Sequence, residues 1–456
     1  MRRSARLAAA AGHISADPAP FASLPLPLAC RIFLALPPDA RGRACCVCRA
    51  WRDALAEPAL WTHLDMSAVF RPECKHFFAV LRGAARRARA QLCELDVSRQ
   101  TFSIATLQPV LTAYAGSLRE LHLYAVRSRL AEWWFESPTV EAVVAALPLL
   151  QVLTATQVEC TWDDAARVLR AEPPFAQLQL CRGHLDVHFS DSDNPVGGME
   201  RFTSVASALA DATLQPALRR LHIWYADTAL PELMGALVDA ALTRRLREFK
   251  LIECTPPAAA PLARLLAEGM PLQALEIHFY RARVRTPLFD AAGAVLVADV
   301  LRVNMTLTTL YLQGAHLCGN MNAAGVLLGA LVGHPSLRML WISEENIAAE
   351  DRSAFGALIA ALVAADAPAL HILVLVNNAN SLGDAGFAPI VEALPLNRHL
   401  RDLGLGNSGM SEAFARERLL PAVRANTSLR RLDSEYHWGP EAKEAEELVK
   451  RRGQHD

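Results

Sequence analysis

The feature that most constrains this chain is a six-residue frame, L-x-x-L-x-L, that returns along almost its whole length. Clear copies begin at Leu92, Leu118, Leu218, Leu246, Leu272, Leu307, Leu337, Leu370 and Leu400, and weaker ones at Trp61, Leu150, Phe175 and Leu429. The 368 residues from Trp61 to Leu429 hold twelve intervals with a mean of about 31, running from 25 (Leu150 to Phe175) to 43 (Phe175 to Leu218). Between frames lie segments whose apolar residues recur at three and four, such as Phe387, Ile390, Val391 and Leu394, which is helical spacing. Each unit is therefore read as strand, loop, helix.

Alternation within the frame fixes which residues face which way. Positions 4 and 6 point inward, position 1 closes the core from the preceding turn, and positions 3, 5 and 7 face outward. One unit cannot bury its own leucines, but units stacked in parallel share a continuous core. The array resembles leucine-rich repeats. The copy from Leu370, which reads on through Asn377-Asn378 to Leu382-Gly383 and Gly386, resembles the ribonuclease-inhibitor type, with an asparagine at position 9 to satisfy backbone donors in the turn. Other copies carry Cys254 or Ala315 there. The fold class this implies is α/β: a horseshoe solenoid over residues 65–440, with a concave parallel sheet, outer helices, and a C-terminal capping helix and tail at 441–456.

Residues 20–64 follow a different pattern. Leu28, Ile32 and Leu36 lie one turn apart on a short helix; Pro37-Pro38-Asp39 breaks it and offers an N-cap; a second helical run carries Val47, Trp51 and Leu55 on one face. About forty residues bury too little surface to be very stable alone, so such a module lends apolar groups to a partner. Leu24-Pro25, Leu28, Ile32-Phe33, Leu36-Pro37, Val47-Cys48-Arg49-x-Trp51-Arg52 and Leu60-Trp61-x-x-Leu64 together resemble a small three-helix F-box. Gly42-Arg43-Ala44 departs from the more apolar helix usual in that family. Residues 1–19, with Arg2, Arg3 and Arg6 and no acid before Asp17, read as a disordered tail.

The resemblance implies a non-catalytic substrate receptor of a cullin-RING ubiquitin ligase, cytoplasmic or nuclear. By it, Leu24, Pro25, Leu28, Ile32, Phe33, Leu36, Pro37, Val47, Cys48 and Trp51 would meet a Skp-type adaptor, and the repeats would hold a target protein. The alternative is a repeat scaffold or inhibitor acting outside a ligase. The outward strand positions His222, Trp224, Lys250, Glu276, His278, Tyr311, Gln313 and Trp341 offer large aromatic and charged groups to such a target.

Other motifs point less far. Gly404-x-Gly406-x-x-Gly409 has dinucleotide-site spacing but lies within a repeat frame. His184, Asp186 and His188 share one face of an extended segment and could share a metal, yet read more simply as an amphipathic strand beside the polar run Ser190–Asn194. Arg82, Arg86, Arg87 and Arg89 read as a solvated helix face, and Cys45, Cys46 and Cys48 as small helical core residues. The apolar run Phe355–Val376 is interrupted by Asp366, Pro368 and His371 and splits into helix, turn and strand. Lys+Arg 46 against Asp+Glu 47 gives a net charge of -1, which argues against nucleic-acid or anionic-membrane binding. No cofactor or metal is expected.

Overall fold

The computed structural model describes residues 24–67, 74–89, 91–99, 104–123, 135–188, 195–224, 231–252, 254, 258–279, 288–343, 347–376, 382–407, 409–433 and 439–453. They divide into two compact units, one comprising residues up to Thr156 with Gln177–Gln179, the other Gln157–Ala176 with Leu180 onward. The expected tail at 1–19, Asn377-Asn378 and the run Ser190–Asn194 lie outside the described residues.

The first unit opens with three short helices, α1 (Leu26–Leu34), α2 (Pro38–Ala44) and α3 (Arg49–Ala54). Both α1 and α2 carry proline in their first two positions, where the missing N–H costs nothing. The locked φ of Pro38 starts α2 there, so Pro37 takes the cap position and Asp39 does not; Asp39 instead pairs with Arg43 at 2.6 Å. Phe33, Leu55, Leu60 and Trp61 form the buried centre. The Phe33 ring meets Trp51 edge-on at 5.5 Å, and Trp61 Nε1 donates to the Leu55 carbonyl at 2.8 Å.

Arg41 is buried within this module. Its guanidinium donates to the carbonyls of Leu36, at 2.7 Å, and Leu60, and lies 5.8 Å from the Trp61 ring centre. Arg87, read as part of a solvated basic face, also covers Trp61, at 5.2 Å, while Arg82, Arg86 and Arg89 are exposed. Only Cys45 of the clustered cysteines is core: α2 ends at Ala44, so Cys46 and Cys48 leave the helix and are exposed.

Four strands follow in this unit: β1 (His63–Asp65), β2 (Glu94–Asp96), β3 (Glu120–Leu123) and β4 (Phe135–Glu136), with the first half of β5 (Val152–Thr161). Here β1, β2, β3 and β5 pair in parallel, aligning Leu64, Leu95, Leu121 and Leu153.

The second unit continues with β6 (Leu178–His188), β7 (Arg220–Trp224), β8 (Glu248–Ile252), β9 (Ala274–His278), β10 (Thr309–Gln313), β11 (Met339–Ser343), β12 (Ile372–Val374), β13 (Asp402–Gly404) and β14 (Arg431–Asp433). All pair in parallel with their sequence neighbours. One register line runs through Leu185, Leu221, Phe249, Leu275, Leu310, Leu340, Leu373, Leu403 and Leu432, all buried; from Leu221 on each is the fourth position of its frame, whereas β6 joins the line at Leu185, seven residues past Leu178, the fourth position counted from Phe175. Positions 1 and 6 are buried as expected, as in Leu307 and Leu312 or Leu337 and Ile342. The α/β class and its repeating strand–helix order are thus those of a solenoid of repeats.

Three turns are closed by an asparagine three residues before the frame, a position the sequence reading did not single out. Asn304 Nδ2 donates to the Leu266 carbonyl at 2.7 Å, while its Oδ1 accepts from the amides of Thr306 and Leu307 at 2.9 and 2.7 Å. Asn397 repeats this with Val363, His399 and Leu400, and Asn426 with Leu394, Ser428 and Leu429. Asn426 also donates to the carbonyl of Asn397 at 2.8 Å. Each asparagine therefore satisfies backbone of its own turn and of the unit before it.

The array ends in the helix Gly439–Gly453, which buries Ala442, Ala445 and Val449 and whose Arg452 donates to the Val423 carbonyl at 3.0 Å. The run from Phe355 falls into the helix Arg352–Ala364 and β12, and no helix among the described residues is long and apolar enough to cross a membrane. Asn397→Ala would strand buried backbone donors and an acceptor at about 1–3 kcal/mol for the group. We expect it to lower the urea midpoint clearly, whereas replacing exposed Arg398 on the same turn should leave it unchanged.

Candidate functional site

The side chains that carry most chemistry lie on one face of the second unit, and a glycine sets their register. Gly183, within β6, has φ +57, and a Cβ built on it would sit 1.7 Å from the Ala217 carbonyl oxygen. Only glycine lets the backbone turn there and pass so close to its neighbour. Beyond it, His184, Asp186 and His188 align with Arg220, His222 and Trp224 of β7.

From that point two register lines cross the sheet. One runs Asp186, His222, Lys250, Glu276, Tyr311, Trp341; the other His188, Trp224, Ile252, His278, Gln313, Ser343. Neighbouring residues on these lines are bonded or stacked. Asp186 Oδ1 accepts from His222 Nδ1 at 2.8 Å and from Trp224 Nε1 at 3.2 Å, and Gln157 donates to Oδ2. His222 Nε2 reaches Glu248 at 3.0 Å; Lys250 bridges Glu248 and Glu276 at 3.3 and 3.0 Å; Glu276 meets His278 at 3.3 Å. The chain of contacts then becomes aromatic: His278 stacks on Tyr311 at 4.1 Å and Tyr311 on Trp341 at 4.7 Å.

This arrangement corrects the expectation that these residues face solvent. His222, His278, Gln313 and Ser343 are buried, and Trp224, Lys250, Glu276, Tyr311 and Trp341 are half-buried. Parallel strands lie about 4.8 Å apart, so long side chains in register cover one another. Sequence analysis placed His184, Asp186 and His188 on one face, as found. Their link to His222 escapes the frame, because counting from Phe175 puts Leu178 opposite Leu221, whereas β6 pairs with β7 through Leu185. His188 stands apart, paired with Glu159 at 2.9 Å and stacked on Trp224.

The electrostatics follow from burial and pairing. Burial pushes the Asp186 carboxyl up, but hydrogen bonds from His184 and His222 outweigh it and hold it well below the usual carboxylate range. Burial likewise opposes ionisation of Glu248, yet His222 and the nearby cations bring it down to about 2. His222 is raised: burial lowers it, and its bonds to Asp186 and Glu248 overcome that. His184, chiefly through burial, is lowered.

Beside this face a groove of about 1040 Å³ is lined by Arg247, Gln273, Thr308, Arg338, His371 and Arg401, among others. The glycine motif offers no phosphate cradle. Gly404 and Gly406 are buried, and Gly404 continues the line of Trp341 and Val374, where a Cβ would stand 2.9 Å from Val374 Cγ1.

In the first unit the expected adaptor-facing residues divide. Leu28, Ile32 and Val47 are 47%, 45% and 62% exposed, and Pro25, Pro37 and Cys48 are also exposed. Leu24, Leu36 and Trp51 are half-buried, and Phe33 is fully buried against Trp51. Phe33 thus belongs to the module's own core, because position 33 on α1 turns opposite Leu28 and Ile32. Leu26 and Leu34, not singled out from the sequence, are exposed as well.

Comparison with known proteins agrees with this module. Residues 21–67 match the family described as F-box-like. No curated protein matches the chain. Among solved structures it is similar to a chain in the crystal structure of the Rad7 and Elc1 complex in yeast, with 16% identity, a TM-score of 0.35, and coverage of 73% of this chain and 77% of that one.

Asp186→Ala leaves His222, Trp224 and Gln157 without their shared acceptor, and we expect a loss of about 3 kcal/mol in chemical denaturation. The pH dependence has a definite sign. Raised His222 contributes stability below the usual histidine value, lost as pH rises through its own; lowered Asp186 and Glu248 contribute above the usual carboxylate range, lost as pH falls. His184, lowered, works against His222. The melting temperature of His222→Gln should therefore fall less than that of the parent between about pH 6 and 9.

Proposed function

We propose that this chain is a non-catalytic adaptor-binding subunit of a Skp-cullin-F-box type ubiquitin ligase. Its F-box-like module docks on a Skp-type adaptor, and its repeat array, read as leucine-rich repeats, holds the target protein. The observation that carries the reading is the F-box-like match at 21–67 together with the large apolar side chains the same residues expose: Leu26, Leu28, Ile32, Leu34 and Val47. A module this small leaves such side chains open at a cost unless a partner covers them.

Target recognition falls to the face formed by β6 to β11. Stacked Tyr311 and Trp341, half-buried and backed by a rigid sheet, have the character of an interface anchor, and the arginines of the adjoining groove favour an acidic partner.

The full-length chain carrying Leu28→Ala and Ile32→Ala should lose the Skp-type adaptor and its cullin in pull-down while its melting temperature holds. Retained adaptor would overturn the F-box reading; loss of the adaptor with targets still bound would fit it. Phe33→Ala is the contrasting variant and should unfold the module, since it removes a buried ring at about 3–5 kcal/mol. If the parent chain captures partners but never adaptor or cullin, it is a repeat scaffold acting outside a ligase.

A further inference from the structure

His184, Asp186 and His222 bring two imidazole nitrogens and a carboxylate to one point on the sheet. His184 Nε2 lies 3.0 Å from His222 Nδ1 and 3.5 Å from Asp186 Oδ2, and His222 Nδ1 lies 2.8 Å from Asp186 Oδ1. All three residues are buried. The grouping is built by the fold: β6 supplies two donors at alternate positions and β7 the third, directly opposite Asp186.

Hydrogen bonding alone serves these atoms poorly. His222 Nε2 faces the Glu248 carboxylate and must carry a proton to donate to it. If His222 Nδ1 carries one as well, for Asp186, then His184 Nε2 has two choices. As an acceptor it turns its lone pair toward Asp186 Oδ2; as a donor it reaches Asp186 Oδ2 only at 3.5 Å while standing 3.0 Å from the protonated His222 Nδ1. A divalent cation among the three atoms removes the conflict, with His222 neutral, bound through Nδ1, and Nε2–H donating to Glu248. That carboxylate–histidine pairing is the usual second support of a metal-bound imidazole.

Distances and charge agree. Donors bound at about 2.0–2.1 Å around a tetrahedral ion are separated by roughly 3.3 Å; the two imidazole nitrogens stand 3.0 Å apart, with one Asp186 oxygen 2.8 Å from His222 and the other 3.5 Å from His184. The surrounding contacts supply Asp186, Glu159, Glu248 and Glu276 against the two cations Lys250 and Arg220. Trp224 and Gln157 hold the Asp186 carboxylate in place through its remaining lone pairs.

We propose that His184, Asp186 and His222 form a binding site for a zinc-class divalent ion, with Glu248 as the positioning residue behind His222. Two imidazoles and a carboxylate suit zinc better than magnesium or calcium. Three protein donors leave one tetrahedral position for water or for a donor from a bound partner. This inference stands apart from the ligase reading, since it concerns the sheet face whatever the array holds.

The test is calorimetric titration of the EDTA-treated full-length chain with Zn²⁺, with Co²⁺ as a spectroscopic probe. The expected result is one saturable equivalent, a rise in melting temperature, and a cobalt spectrum without thiolate charge transfer. His184→Gln and His222→Gln should abolish that equivalent. Glu248→Gln should weaken it roughly 10- to 100-fold, and His188→Gln should leave it intact. Absence of saturable binding, a thiolate spectrum, or binding that survives both histidine variants overturns the proposal. So does loss of the equivalent in His122→Gln, which would place the ion at the Glu94, Glu120 and His122 cluster instead. Should a histidine variant fail to fold, the parent's cobalt spectrum and Glu248→Gln still decide.

Discussion

Parallel pairing in a single register is the constraint on which the second unit depends. Because Leu185 of β6 and the fourth frame position of every strand from β7 to β14 fall on one line, the leucines form one shared core, and the side chains on the opposite face fall into register as well. A slip of one residue would turn that core to solvent. The polar contacts from Asp186 to His278 add a second penalty for slippage, since each needs its partner directly opposite.

Much of the fold was legible because it is repetitive. Leucines at positions 1, 4 and 6 announce burial, and the helix, turn and strand of the run from Phe355 follow from one aspartate and one proline. What escaped were cross-strand relations. His222 looked like an isolated outward histidine until β7 lay beside β6; Phe33 looked adaptor-facing until Trp51 came round to meet it. A pattern read along the chain gives the direction of a side chain, while its cover comes from residues tens of positions away.

The same distinction explains the asparagines. The motif Asn-x-x-Leu stands plainly at Asn304, Asn397 and Asn426, but its meaning lies in the carbonyls it reaches in the preceding unit, which local propensity does not encode. Arg41 is a similar case: a charge in a short helix of the F-box-like module reads as surface, yet it ties two carbonyls together beneath Trp61. The helix lacks the expected apolar side chains because a guanidinium fills that role.

The asparagine links also set how the array comes apart. Each reaches only one unit back, so cooperativity passes between nearest neighbours rather than through the whole unit. The C-terminal end, where Asn426 leans on Asn397 and is held from outside by Arg452, can open without disturbing β6 to β8. Amide exchange should then be graded, fastest near the last strand and slowest where hydrogen-bonded side chains tie β6, β7 and β8 together.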